Sequence, residues 1–322
     1  MSLSLDPSTS LRSAQEAACR YLDAQFEVSL RAGDIPKATH DLSATQSREV
    51  AWILAHALGW SVHQVRAEPR YPIGSKHERF ASMIARRAAG EPVQYILGSA
   101  AFRMLTLKVT PAVLIPRPET EEILDHIHEW VQSGVFDPAR APIAPAGIAL
   151  DVGTGSGCIA LAIRSEIPRF SVIGLDVSEE ALQVARENAQ DLGLEVTWRA
   201  GDLFAPTLHE TIPVLDLLVS NPPYIPRSEA SDMQREVVRH EPPLALFTGL
   251  DPLAPFDRLI SLGRRRLRGG GLWLVEGHVD YVEAVALRCA AAGFEDTVVL
   301  RDLYGRKRFV RARQPVSYRP KP

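Results

Sequence analysis

Apolar residues in the first 90 positions recur with the period of an amphipathic helix. In SREVAWILAHALG they fall at Val50, Ile53, Leu54, Ala57 and Leu58, and Gly59 follows as a stop. HERFASMIARRAAG repeats the scheme with Phe80, Met83, Ile84 and Ala88 and ends at Gly90. A further helix is predicted from about Leu11 to Phe26, with Ser13 and Glu16 spaced as a capping box. Each helix has one apolar face, which must be buried against another. Residues 1–90 therefore read as a small helical bundle.

The period then changes. MLTLKVT alternates Leu105, Leu107 and Val109 with polar residues, the pattern of a half-buried strand. It leads into LIPRPETEEIL, where Pro116 and Pro118 stiffen the approach to a helix beginning near Glu119, so residues 91–118 read as a β-hairpin linker. Ser133 to Gly147 is rich in Pro and Ala and reads as a surface loop. Strand-like runs follow at Ile148–Asp151, Ser171–Asp176, Glu195–Ala200, Leu215–Ser220, Leu272–Glu276, Asp296–Leu300 and Lys307–Arg311. Helical stretches such as SEEALQVARENAQDLG lie between the early ones. This alternation over residues 119–322 predicts a doubly wound, mostly parallel α/β sheet. The last two runs are joined by the short RDLYGR and should form a hairpin at one edge. Ligands of such sheets bind beyond the carboxyl ends of the strands.

Composition narrows the class. At 322 residues the chain has room for about two domains. With 46% hydrophobic and 23% charged residues it is not a disordered chain. A net charge of −3 gives no bulk attraction for nucleic acid. Cys19, Cys158 and Cys289 are far apart and form no C-x-x-C pair, which excludes a disulfide framework and a cysteine zinc site and points to a reducing compartment. No apolar run is long enough to cross a membrane. The first twenty residues are Ser-rich with two arginines, but Asp6 and Glu16 disfavour an organelle leader. A cytoplasmic location is expected, with a mitochondrial one as the alternative in a eukaryote.

The candidate chemistry lies at the strand ends. LDVGTGSGCIALAI supplies Asp151, then Gly153, Thr154, Gly155, Ser156 and Gly157, ahead of a helix. Such glycines allow a tight turn and close approach of a ligand to the backbone. The dinucleotide fingerprint wants a third glycine where Cys158 stands, which counts against a nicotinamide dehydrogenase. The second strand ends in Asp176, whose carboxylate can accept both hydroxyls of a ribose. AGDLF puts Asp202 and Leu203 after the third strand, a polar clamp and an apolar wall for an adenine ring. Together these features predict a nucleoside cofactor. Asp151 and Asp176 would repel a pyrophosphate and tolerate a sulfonium, which favours S-adenosylmethionine.

VSNPPYI leaves the fourth strand through Asn221, Pro222, Pro223 and Tyr224. Prolines cannot donate to a ladder and fix φ, and Pro222 pushes Asn221 into extended geometry. The result is a stiff elbow holding one amide side chain, two carbonyls and one ring. Taken alone, it is equally a strand-terminating turn. Elsewhere, His126 and His128 sit two apart on a helix and face different ways, so they are not read as metal ligands, and no metal site is expected. Glu119 and Glu121 either line the cofactor pocket or sit at a solvated helix start. Cys158 reads as a small buried residue, and Arg264 to Arg268 as a solvated helix end.

The runs EPVQYILG, LIPRPETE, DVGTGSGCIALA, SNPPYI and RHEPPLAL, in this order, resemble the HemK/PrmC family, glutamine N5-methyltransferases acting on class I peptide-chain release factors. The similarity extends from about Ser47 to Arg311; Pro252, the long Ser133–Gly147 loop and the His278–Tyr281 segment depart from the family's pattern. The resemblance implies a class I (Rossmann-like) S-adenosylmethionine-dependent methyltransferase domain preceded by the helical bundle. It implies that the Asn221 side-chain oxygen and the Pro222 carbonyl accept the two N–H bonds of the substrate amide. Pro223 and Tyr224 would complete that pocket, the ring flanking the transferred methyl. The bundle would dock the release factor so that the glutamine of its Gly-Gly-Gln motif reaches Asn221. Two other activities use the same elbow, glutamine methylation of a large-subunit ribosomal protein and N6-adenine methylation of DNA. The latter predicts a basic groove or a base-flipping apparatus, which the net charge disfavours. A monomer is expected, with no direct nucleic-acid or membrane binding.

Overall fold

Ser10 stands one residue ahead of the first helical position, and its Oγ accepts the Ser13 N–H at 3.2 Å, capping α1 (Leu11–Arg31). Ser13 is therefore the third residue of the first turn and not the cap, and Glu16 lies a turn too far along to close a capping box. This computed structural model describes residues 3–31, 42–134, 147–231 and 233–319. The chain forms two compact units, residues 1–98 with 234–240, and residues 99–233 with 241–322.

In the first unit, α1 packs with α2 (Leu42–Leu58) and α4 (His77–Ala88). Their buried residues are those of the 3.6-residue stripe: Leu11, Ala14, Ala18 and Leu22 meet Val50, Ile53, Leu54 and Ala57, with Phe80, Met83 and Ile84 opposite. Two short helices were not foreseen, α3 (Val62–Ala67) and α5 (Val93–Leu97). A true capping box starts α3: Ser61 N–H donates to Gln64 Oε1 at 2.7 Å and Gln64 N–H to Ser61 Oγ at 3.2 Å. Within this unit Arg87 bridges Glu49 at 2.7 Å and Glu236 at 3.0 Å, so residues from far along the chain are tied to α2 and α4.

The second unit opens with the hairpin β1 (Ser99–Phe102) and β2 (Leu105–Lys108), followed by α6 (Glu122–Gln132). The expected loop after α6 lies, except for its ends, outside the described residues. The sheet strands are β3 (Gly147–Val152), β4 (Phe170–Asp176), β5 (Thr197–Ala200), β6 (Leu215–Ser220), β7 (Leu267–Glu276), β8 (Glu295–Arg301) and β9 (Lys307–Arg313). The helices between them are α7 (Cys158–Glu166), α8 (Glu179–Leu192), α9 (Leu208–Thr211), α10 (Arg235–His240, in the first unit), α11 (Pro243–Leu246), α12 (Ala254–Arg266) and α13 (Val282–Ala291). The sheet order is β5-β4-β3-β6-β7-β9-β8, and β9 alone runs against the rest. The chain works outward from β3 to β5, then returns to β6 beside β3. This places the switch point between β3 and β6.

Alternation along the strands divides the core. Ala149, Leu217, Val219, Leu272 and Leu274 pack under α6 and α7, whereas Leu150, Val152, Leu218, Trp273 and Val275 pack under α12 and α13. The hairpin is fastened to the first face by Arg103, whose guanidinium makes two 2.9 Å bonds to Glu166 and one of 2.8 Å to Asp125. The arginine run is only in part the solvated helix end expected from its charge: α12 ends at Arg266 and Arg265 and Arg268 are exposed, but other contacts of the run are specific. Arg264 lies over the Phe294 and Tyr318 rings, 5.4 and 4.9 Å from their centroids. Arg268 already belongs to β7 and pairs with the buried Asp216.

Gly263, in the middle of α12, is a packing residue. A Cβ there would lie 2.7 Å from Trp273 Cδ1 and 3.1 Å from Phe294 Cζ. The Trp273 ring cannot move aside freely, because it is fully buried and its Nε1–H donates to the Leu259 carbonyl at 3.0 Å. G263A gains about 1 kcal/mol of helix propensity and loses about 1–3 kcal/mol to overpacking. A net destabilisation is expected in urea unfolding. A midpoint equal to or above that of the wild type would show that the indole yields.

Candidate active site

Five parallel strands end on the same edge of the sheet, and each end carries a polar or conformationally special residue. The loop Gly153–Gly157 leaves β3, Asp176 ends β4, Asp202 follows β5, Asn221 follows β6 and Glu276 ends β7. Their proximity is thus a consequence of topology.

Gly153, Gly155 and Gly157 have φ of 72°, 56° and 82°, a region that L side chains rarely adopt. At Gly153 and Gly155 a Cβ would meet nothing within 4 Å, so the loop presents bare backbone on that side. At Gly157 a Cβ would lie 2.8 Å from the Trp198 ring, so this glycine also serves packing against β5. Four of the loop's five amides are spoken for. Gly153 and Thr154 N–H donate to the Leu175 carbonyl at 2.8 and 3.0 Å, Gly157 N–H donates to the Thr154 carbonyl at 2.8 Å, and Gly155 N–H donates to Asp176 Oδ2 at 2.9 Å. Buried Asn188, from α8, donates to the Ser156 carbonyl at 2.9 Å while accepting the Lys108 N–H at 2.6 Å, which ties the loop to β2.

Asp151 is fully buried. Its Oδ2 accepts the Thr154 hydroxyl at 2.6 Å and the Ala160 N–H at 3.2 Å, while Oδ1 has no partner among the described residues. Burial raises its pKa to about 7, against the pull of those two bonds. The half-buried Asp176 is also raised by desolvation, although Ser178 and Gly155 N–H donate to it. With Val177 N–H as a third backbone partner, Asp176 still keeps acceptor capacity for a ligand. Asp202 is exposed and accepts the Phe204 N–H at 2.8 Å. Leu203 lines a cavity of about 200 Å³ with Ala205, Leu208, Arg258 and Leu262, and none of the other predicted site residues lines it.

The elbow is part of a buried polar chain. Asn221 Nδ2 donates to Thr120 Oγ1 at 3.1 Å, Thr120 donates to Glu276 Oε2 at 2.7 Å, and Tyr224 OH donates to Glu276 Oε1 at 3.3 Å. Arg308 stands 3.5 Å from Glu276 Oε1 and 3.0 Å from Asp302. Desolvation raises the Glu276 pKa, and Thr120, Arg308 and Tyr224 oppose it. The Tyr224 phenol is raised by burial and by the Glu276 charge. Beyond Tyr224 the chain is held to its return: Thr248 N–H donates to the Ile225 carbonyl at 3.0 Å. Glu241, almost completely buried, accepts from Arg117 at 2.7 Å and from the Ile115 N–H at 3.2 Å. LIPRPETE, SNPPYI and the EPPLAL portion of the third run are therefore one assembly within the second unit.

Two family models match the sequence, the PrmC N-terminal domain over residues 36–98 and the methyltransferase small domain over residues 140–249. A release factor glutamine methyltransferase of Bacteroides thetaiotaomicron is 37% identical over 74% of this chain and 81% of its own length. One from Synechocystis is 42% identical over 69% and 73%, and one from Geobacter sulfurreducens is 37% identical over 82% and 88%. The chain belongs to the release factor glutamine methyltransferases. In this methyltransferase the sequence reading missed Thr120, Glu276, Arg308 and Glu241. Glu119 and Glu121 flank the residue that reaches Asn221, which is Thr120. A carboxylate as the last letter of the apolar run LWLVE was the available signal for Glu276. As expected, the two helical histidines face differently: His128 bonds Glu166 at 2.8 Å, whereas His126 packs edge-on against Phe309.

The Asp151 shift has a sign that can be measured. Its pKa is raised in the folded state, so the folded chain retains a proton that the unfolded chain releases above about pH 4. That contribution to stability is complete below the unfolded value and is lost as pH rises to about 7. The ligand-free protein should lose up to about 1.4 kcal/mol per pH unit from this group. In urea unfolding between pH 5 and 7, D151N should give the flatter profile. Parallel profiles would mean that Asp151 is ionised throughout.

Proposed function

We infer that this protein methylates the side-chain amide nitrogen, N5, of the glutamine in the Gly-Gly-Gln motif of class I peptide-chain release factors, with S-adenosylmethionine as donor. The observation that carries this reading is the elbow amide. Asn221 sits at the carboxyl end of β6, beside the glycine loop of β3, with Nδ2 committed to Thr120 and Oδ1 free to accept. The relatives carry the release-factor name, so the ribosomal-protein and adenine alternatives are not favoured. A cytoplasmic location accords with this reading; among the described residues no helix is long and apolar enough to cross a membrane.

The residues present fit the cofactor. A Cβ would fill the open side of Gly153 and Gly155, Asp151 Oδ1 is a buried acceptor without a partner among the described residues, and Asp176 retains acceptor capacity. When bound, S-adenosylmethionine supplies an electrophilic methyl on a cationic sulfonium. Asp151, the loop and Asp176 would hold it, with Asp202 and Leu203 toward its base.

An amide nitrogen is a poor nucleophile because its lone pair is shared with the carbonyl. Asn221 Oδ1 and the Pro222 carbonyl accept the two N–H bonds of the substrate amide. Holding both hydrogens fixes the direction of the lone pair, so positioning supplies much of the acceleration. Pro223 stiffens the pocket and the Tyr224 ring flanks the site of transfer, where a cation gains about 0.5–2 kcal/mol from an aromatic face. No base is required beforehand, since the nitrogen becomes acidic once it is alkylated. The helical unit supplies the docking surface that a single glutamine side chain cannot.

N221A should bind cofactor with near-normal affinity in calorimetry while methyl transfer to a release factor falls at least about a hundredfold. Comparable transfer by the variant would reduce Asn221 to a turn residue. D176A should do the opposite and weaken cofactor binding at least about tenfold, at about 1.5–3 kcal/mol per hydrogen bond to a charged acceptor. Wild-type affinity in D176A would remove Asp176 from the cofactor site.

A further inference from the structure

We propose that Glu276 and Thr120 are positioning residues for the methyl transfer, holding Asn221 so that its oxygen and not its nitrogen meets the substrate amide. The inference rests on the reading of Asn221 as acceptor for that amide. A primary amide has two ends of nearly equal shape and opposite hydrogen-bonding character. Neither prolines nor sterics distinguish them. The substrate nitrogen brings two donors, so an Asn221 turned end for end would set donor against donor.

The polarity is fixed from a distance. The Glu276 carboxylate is fully buried at the end of β7, faces the Arg308 guanidinium, and can only accept while ionised. Thr120 must then spend its one hydrogen on Glu276, at 2.7 Å, and offer a lone pair to its other neighbour. That neighbour, at 3.1 Å, must be the Asn221 NH₂. Glu276 also accepts the Tyr224 hydroxyl, so a single carboxylate orients both elbow side chains.

E276Q tests the polarity with almost no change of shape. Its carbonyl end belongs toward Arg308 and Tyr224, which leaves its NH₂ facing Thr120. The chain then runs backwards: Thr120 donates to Asn221, and Asn221 presents NH₂ to the substrate. For E276Q and for T120V, kcat for a purified release factor is expected to fall about tenfold or more. KM and cofactor affinity should stay within about threefold of wild type. T120S, which keeps the hydroxyl, should recover most of the lost turnover. Wild-type kcat in E276Q or in folded T120V would overturn the proposal. So would equal losses in T120V and T120S, because packing and not the hydroxyl would then matter. N221A separates the two readings. Loss in N221A with full turnover in E276Q and T120V overturns the relay alone, whereas full turnover in N221A overturns the role of Asn221 itself. Should T120V not fold, E276Q decides.

Discussion

A carboxylate taken out of water must be repaid in hydrogen bonds, and Glu276 is fully buried at the carboxyl end of β7, next to the elbow that follows β6. The cost of burying such a charge is several kcal/mol after relaxation. Thr120, Tyr224 and Arg308 offset it, and each is fixed in return. Thr120 comes from the 3₁₀ turn Pro118–Glu121, Tyr224 from the elbow, and Arg308 from β9, the antiparallel strand inserted next to β7. One charge thus draws together three segments that are remote in sequence. Asn221 is the next link outward. The elbow's prolines restrict its backbone, but the direction of its amide descends from Glu276.

This arrangement depends on the strands beneath it. β6 is buried along its whole length, and β3 and β7 nearly so, so register is specified from both faces. A slip of one residue would exchange Leu217 and Val219 with Leu218 and would carry Asn221 out of reach of Thr120. The apolar core and the polar edge are in this sense one structure. Gly263 shows the same coupling from behind, since a helix gives up propensity there so that Trp273 can fill the space under β7.

The fold was largely legible because most of its elements are long or, like β3, β6 and β7, buried on both faces. All seven sheet strands could be read as strand-like runs, though β5 begins two residues later than expected and β7 five residues earlier. The helices α3 and α5 were not legible, since five or six residues are too few to show a period. The site divides in the same way. Asp151, the glycines, Asp176 and Asn221 declare themselves by residue type at strand ends. Thr120 and Glu276 act through a contact between residues 156 positions apart, and no local pattern encodes that. Arg264 misled for the converse reason. Its charge announces solvent, while its planar guanidinium is content between two aromatic rings.

The glycine loop suits the proposed cationic donor better than it suits a dinucleotide. A pyrophosphate site needs loop amides free to point at oxygen. In this chain Gly153 and Thr154 spend theirs on the Leu175 carbonyl, Gly157 on the Thr154 carbonyl, and Gly155 on Asp176. Apart from the Ser156 N–H, what the described residues leave for a ligand is acceptors: Asp151 Oδ1, and remaining lone-pair capacity on Asp176. Both acids are held above the ordinary carboxylate range by desolvation, so each would gain from a nearby positive charge. A cationic methyl donor relieves the cost of burying Asp151, whereas a phosphate would add to it. The same logic reaches the far side of the site. The Tyr224 hydroxyl is held by Glu276, which leaves its ring face for a cation such as the proposed methyl transfer would create.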